Sequence, residues 1–249
     1  MPSLDRQALA DFIQSKLQVF YERRLESLDR LKLKEVLQRK NPYLFKAKGI
    51  QSASDLARDI LQAFLSSSEE ERFGRLLEEI AFYVAQQVYG AYKSAAEGID
   101  LEFDKDGVRY FVQIKSGTNW GNSAQKKRLS QDFQRAVQSY QHSHPSAKVA
   151  CVQGSCYGKQ TTKSRTASEP RLYTVLAGQA FWTFLSGDPN LYLEIIEPMG
   201  NQARTFSLEL ESRRAALEIA FTREIAEQFT HPDGTLDWQK LLVFVSAAD

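Results

Sequence analysis

The sequence predicts a mixed α/β fold, and three observations carry that prediction. Residues 98–117 read as a β-hairpin, helical periodicity runs on both sides of it, and residues 148–153 have the composition of a buried strand. In the hairpin, Ile99, Leu101 and Phe103 alternate with Asp100, Glu102 and Asp104, and an Asp106-Gly107 pair lies between the two arms. A two-residue turn at that pair sets Lys105 against Val108, and counting outward sets Asp100 opposite Gln113. Strand side chains repeat every two residues, so Lys115 shares that face. A four-residue loop keeps all three residues together, whereas a three-residue loop sends Asp100 to the other side.

The remaining elements follow in chain order. Ser3 precedes an amphipathic pattern of Leu9, Phe12, Ile13, Leu17, Phe20, Leu25, Leu28 and Leu31, which reads as one or two helices until Asn41-Pro42 breaks it. Ser52 or Ser54 caps a short helix carrying Leu56, Ile60, Leu61 and Phe64. Ser68 and Glu71 form a capping box for a further helix, with Phe73, Leu77, Ile80, Val84 and Val88 along one face. Glu78 lies at the edge of that face, either turned toward the hairpin or exposed. After the hairpin, Ser123 can cap a helix in which Leu129, Phe133, Val137 and Tyr140 recur, with Lys126, Lys127 and Arg128 in its early turns. Residues 178–186 read as a short helix, 192–196 as a strand, and 206–230 and 237–247 as helices. There is no internal repeat and no low-complexity segment.

A chain of 249 residues with 43% hydrophobic content can bury a substantial core. No stretch approaches the length of a membrane span and the N-terminus lacks signal-peptide character, so a cytoplasmic protein without membrane contact is expected. Cys151 and Cys156 match neither a zinc site nor a redox pair, which leaves buried thiols. His142 and His144 lie in a stretch that reads as a helix end. No phosphate-binding loop, dinucleotide fingerprint or serine-hydrolase elbow occurs.

The net charge of +1 excludes a uniformly basic DNA-coating protein, so a nucleic-acid surface has to be local. Three stretches are rich in cations. One holds Lys115, Lys126, Lys127, Arg128 and Arg135, a second holds Lys159, Lys163, Arg165 and Arg171, and a third runs from Arg30 to Lys48. Each reads equally as a solvated face or as a phosphate-binding one.

An acid, a second oxygen ligand and a lysine on one sheet face suit metal-dependent phosphodiester hydrolysis. Mg²⁺ takes hard oxygen donors, and a nearby ammonium orients water and offsets charge on the phosphate. The same spacing also arises on ordinary hairpins with exposed charge. Trp120 either touches DNA, covers the site or packs over the hairpin base.

The hairpin and the following Ser116-Gly117-Thr118-Asn119-Trp120-Gly121-Asn122-Ser123 resemble the active-site region of the PD-(D/E)xK nuclease superfamily. More narrowly, they resemble the type II restriction endonuclease family that includes the enzyme cutting RGGNCCY sites. Asn41-Pro42-Tyr43-Leu44-Phe45-Lys46-Ala47-Lys48, Phe73-Gly74 with Glu78, Cys156-Tyr157-Gly158 and Glu194-Ile195-Ile196-Glu197-Pro198 extend the likeness over about residues 40–200. The resemblance implies Asp100 as the metal-binding aspartate, Lys115 as the lysine beside the attacking water and Glu78 as an additional acid. Gln113 departs from the pattern, which has Glu or Asp there; a carboxamide oxygen binds Mg²⁺ less strongly, so Glu78 or Glu102 compensates, binding is weak, or the site is inactive.

The resemblance therefore implies an α/β PD-(D/E)xK restriction-endonuclease-like core, a central mixed sheet flanked by helices, with N- and C-terminal helical additions. The expected regions are 1–50, helical and a dimerisation element or a layer packed on the core; 51–200, the nuclease core; and 201–249, helical. The expected function is site-specific cleavage of double-stranded DNA with Mg²⁺, by a homodimer. Asp100, Gln113 and Glu78 would hold the metal and Lys115 would complete the catalytic set. Asn119, Trp120, Asn122, Lys126, Lys127, Lys159, Lys163 and Arg165 are the DNA-contact candidates. The alternatives are a repair or junction-resolving nuclease on the same core and a DNA-binding module with a decayed site.

Overall fold

The computed structural model describes residues 4–159 and 172–248. In chain order its elements are α1 (Arg6–Arg30), α2 (Leu33–Arg39), α3 (Pro42–Ala47), α4 (Ala53–Tyr89), β1 (Tyr92–Lys93), β2 (Leu101–Lys105), β3 (Val108–Lys115), α5 (Ser123–Ser143), β4 (Lys148–Ser155), β5 (Thr174–Ala177), α6 (Gln179–Ser186), α7 (Leu191–Glu194), α8 (Met199–Phe229) and α9 (Trp238–Ser246).

Asp106 (φ 51°) and Gly107 (φ 75°) both occupy the left-handed region, as a two-residue type I′ hairpin turn requires. Lys105 consequently pairs with Val108 and Leu101 with Val112. The even register holds from Lys105 to Leu101, but Asp100 lies just outside β2 and its N–H bonds Val112 O, the residue Leu101 already faces, so the expected pairing of Asp100 with Gln113 is not continued. The sheet runs β1-β2-β3-β4-β5, antiparallel through β3 and parallel from β3 to β5. Helix α5 makes the crossover from β3 to β4 that a parallel pair needs. On one face, Phe111 and Cys151 pack with Leu129, Phe133 and Ala136 of α5. On the other, Phe103 stacks on Tyr89 at 4.9 Å and tilts against Phe184 at 5.6 Å.

By contacts the chain forms two units, one of residues 1–16 and 74–200 that holds the sheet, and one of residues 17–73 and 201–249. This division departs from the expected 1–50, 51–200 and 201–249 regions because α4 is a single unbroken helix that contributes to both units. The second unit is helical. Leu33, Val36, Phe45, Leu56, Ile60, Phe221, Ile225 and Leu241 form its main cluster, and Leu25, Leu28 and Leu210 a smaller one.

Several local expectations need correction. Ser68 does not open a new helix: its hydroxyl donates to Leu65 O (3.0 Å) and that of Ser67 to Ala63 O (2.9 Å), so both turn back onto carbonyls of their own helix. Asn122, not Ser123, caps α5, in a reciprocal capping box with Gln125. Residues 192–196 are not a strand. Leu191 (0% exposed) and Ile195 (5%) are the buried pair, four apart as a helix requires, and the Ile195 N–H bonds Leu191 O at 3.1 Å. The short strand β5 had no counterpart in the sequence reading. Both cysteines are free and buried. No helix among the described residues is long and apolar enough to cross a membrane.

Candidate active site

Glu78 reaches the hairpin because α4 passes close to the end of β3. Gly74 is the point of approach: a Cβ there would lie 3.0 Å from both Cβ and Oγ of Ser116. Glu78 follows one helical turn later on the same side, and its carboxylate accepts from the Ser116 N–H. Asp100 arrives from the other arm. Its backbone N–H bonds Val112 O at 2.9 Å, while its carboxylate folds over the strand to accept from the Ile114 N–H at 2.6 Å.

The two acids and Lys115 sense one another. Burial is the main influence raising the Glu78 pKa; the Asp100 charge raises it further, and Lys115, the Ser116 N–H and Arg75 oppose the rise. Burial likewise raises Asp100, against the Ile114 N–H and Lys115. Asp100 is nevertheless open along one side, where a ligand can approach. Burial, then the Glu78 charge, raises the pKa of the Cys156 thiol, and the Cys156 N–H bonds Lys115 O at 2.9 Å. A cleft of about 720 Å³ opens onto Glu78 and Asp100, with Lys16 and Lys93 on its walls.

Among the described residues no three His, Cys, Asp or Glu side chains are grouped so as to hold a metal ion, and the carboxylates brought together here are those of Glu78 and Asp100. Gln113 is 6% exposed and its Oε1 is buried without a hydrogen-bond partner. A buried acceptor with no donor, two residues before Lys115 on β3, fits a hard cation that takes oxygen ligands. Glu102 is not available to help. It is buried and takes bonds from Ser94 Oγ (2.5 Å) and Tyr92 Oη (3.3 Å) beside Arg109.

Among the residues expected to meet DNA, Asn119, Asn122, Lys126, Lys127 and Lys159 are exposed. The Asn122 side chain is already occupied as the α5 cap. Trp120 is half-buried against the Phe111 and Phe133 cluster, with the ammonium groups of Lys115 and Lys126 5.7 and 6.0 Å from its ring. Lys163 and Arg165 lie outside the described residues. In the basic stretch from Arg30 to Lys48, Lys40 bonds Ala63 O at 2.7 Å and Lys48 pairs with Asp59 at 3.3 Å, while Arg30, Lys32 and Lys34 are exposed.

Sequence reasoning missed the Ser116 and Ile114 N–H groups that hold the two carboxylates. It also missed the approach at Gly74, whose only signal was a helical glycine one turn before Glu78. The family model for type II restriction endonuclease EcoO109I matches residues 7–207. No curated protein matches the chain. With that match spanning the hairpin, Glu78 and the sheet, the chain belongs to the type II restriction endonuclease EcoO109I family.

Proposed function

We propose that this protein is a Mg²⁺-dependent, site-specific endonuclease for double-stranded DNA, built on a PD-(D/E)xK core and acting in the cytoplasm as a homodimer. One observation carries the reading: Glu78, Asp100 and Lys115 interact electrostatically at one end of the hairpin, and Gln113, two residues before Lys115 on β3, carries an orphaned buried oxygen. Asp100, Gln113 and Glu78 would hold the Mg²⁺, which when bound neutralises phosphate charge and makes water more acidic. Lys115 orients the attacking water and offsets charge growing on the phosphate. Hydrolysis forms one P–O bond from that water and breaks the P–O bond to the leaving sugar oxygen, which leaves as a hydroxyl after taking up, through solvent, the proton the water gives up. Asn119, Lys126, Lys127 and Lys159 hold the strand by its phosphates. Palindromic sites mirror two-fold protein symmetry, so a homodimer cuts each strand once.

Gln113, where the superfamily carries an acid, supports a second reading, a DNA-binding module whose site has decayed. Incubation of the purified protein with phage DNA, in Mg²⁺ or EDTA and beside Lys115→Ala, separates the readings. Discrete Mg²⁺-dependent fragments that the variant fails to produce support the restriction endonuclease. Cleavage without a fixed fragment pattern points to a repair or junction-resolving nuclease, and intact DNA despite binding points to the decayed module.

A further inference from the structure

We infer that Tyr157 is a substrate-positioning residue of this site, its phenol hydroxyl donating to the phosphodiester adjacent to the one that is cut. The inference rests on the nuclease reading. The Cys156 N–H bonds Lys115 O and the Tyr157 N–H bonds Ser116 O, both at 2.9 Å, so the end of β4 is laced to the strand that carries Lys115. The Tyr157 ring lies on Gly117: a Cβ there would be 2.6 Å from its Cζ and 2.7 Å from its hydroxyl oxygen. Gly158 (φ 101°) then turns the chain against Thr118, where a Cβ would meet Cγ2 at 2.7 Å. The ring is thus seated on Gly117 on one side, and its other side is open.

A tyrosine whose role is packing buries its ring and bonds its hydroxyl. Tyr157 does neither. It is 60% exposed, and its hydroxyl has no partner among the described residues. The hydroxyl lies on Gly117, two residues past Lys115. β3 ends at Lys115 and the chain bends at Ser116 and Gly117, so the hydroxyl stands beside the lysine position, which suits a phosphate neighbouring the one that is cut. Lys159, exposed two positions on, adds positive charge. A neutral donor beside two cations suits a phosphate oxygen better than a base, and a rigid donor loses little freedom on binding.

The test compares wild type, Tyr157→Phe and Tyr157→Ala on a phage DNA fragment, and on a duplex of the mapped site with single methylphosphonates flanking the cut. Tyr157→Phe should lower kcat/KM about tenfold, the loss expected for a hydrogen bond to a charged group. Its Tm and the salt slope of binding should stay unchanged, since a phenol displaces no counterion. On the duplex neutralised at the contacted phosphate, wild type and Tyr157→Phe should coincide. Tyr157→Phe cutting like wild type overturns the inference, and if Tyr157→Ala alone is impaired the ring is only a brace for Gly117. Should the wild type bind the phage fragment without cutting it, the nuclease reading fails separately. Affinity in EDTA then decides: weaker binding by Tyr157→Phe supports the contact, and equal binding removes it. A wild type that does not bind DNA overturns both readings.

Discussion

Gln113→Met removes the orphaned acceptor of the site and keeps an unbranched side chain of similar length. Oε1 of Gln113 is buried without a partner, and leaving such a group unsatisfied costs about 1–3 kcal/mol. The Met thioether demands no strong hydrogen bond and fits irregular space. Without metal the variant should therefore be the more stable protein by about 1–3 kcal/mol. In a chain of this size each kcal/mol moves Tm by roughly 2–4 °C, so the rise should fall between about 2 and 12 °C.

Mg²⁺ should close that gap. A ligand present at one hundred times its Kd stabilises the folded state by about 2.7 kcal/mol, and the wild type should gain more from the cation than a variant with only two carboxylates to offer. The assay is thermal melting of both proteins in EDTA and through a Mg²⁺ titration. A variant that melts below wild type in EDTA would refute the orphan argument, because Oε1 would then be satisfied in the folded protein. A gap that Mg²⁺ leaves unchanged would remove Gln113 from the donor set.

Three further outcomes follow from the same geometry. Gly74→Ala places a Cβ 3.0 Å from Ser116; the change favours the helix by about 1 kcal/mol, so Tm should hold while displacement of the Ser116–Glu78 pair lowers single-turnover cleavage roughly tenfold to a hundredfold. Burial raises the Glu78 pKa above its unfolded value, so between those two values the folded chain binds more protons and stability falls as pH rises. Glu78→Gln should accordingly melt higher than wild type at pH 7 in EDTA, with the gain vanishing below the ordinary glutamate pKa and with Mg²⁺-dependent cleavage lost. Gly154→Ala would set a Cβ 1.9 Å from Cε2 of Phe181, a ring with 0% exposure, so thermal melting should show a loss of about 1–3 kcal/mol or more.

The hairpin was legible because its signals are local: an Asp-Gly turn and a period of two fix the pairing of Leu101–Lys105 with Val108–Val112, whereas the placement of Asp100, just outside β2, was not fixed by that register. Glu78 was only half legible. Its helix followed from spacing, but its direction depends on how closely α4 approaches Ser116, which is a tertiary fact. Ser67 and Ser68 show why the break in α4 was misplaced, since a hydroxyl can cap a following turn or bond back to a preceding carbonyl with the same sequence. Leu191, Leu193 and Ile195 satisfy both a period of two and a spacing of four, so α7 read as a strand. Strand β5 is four residues long and is held by parallel pairing with β4, a long-range contact that leaves little local signature.

The carboxamide at position 113 has a physical rationale within the proposed site. Glu78 and Asp100 already resist ionisation through burial, and the Asp100 charge adds to the burden on Glu78. Position 113 is more deeply buried than either, at 6% exposure. A third carboxylate there would carry a desolvation penalty of several kcal/mol whenever no cation was present. Gln113 avoids that penalty and still offers an oxygen, at the expense of electrostatic pull on a divalent ion. The departure from the superfamily pattern is thus compatible with an active nuclease that depends more steeply on Mg²⁺ concentration.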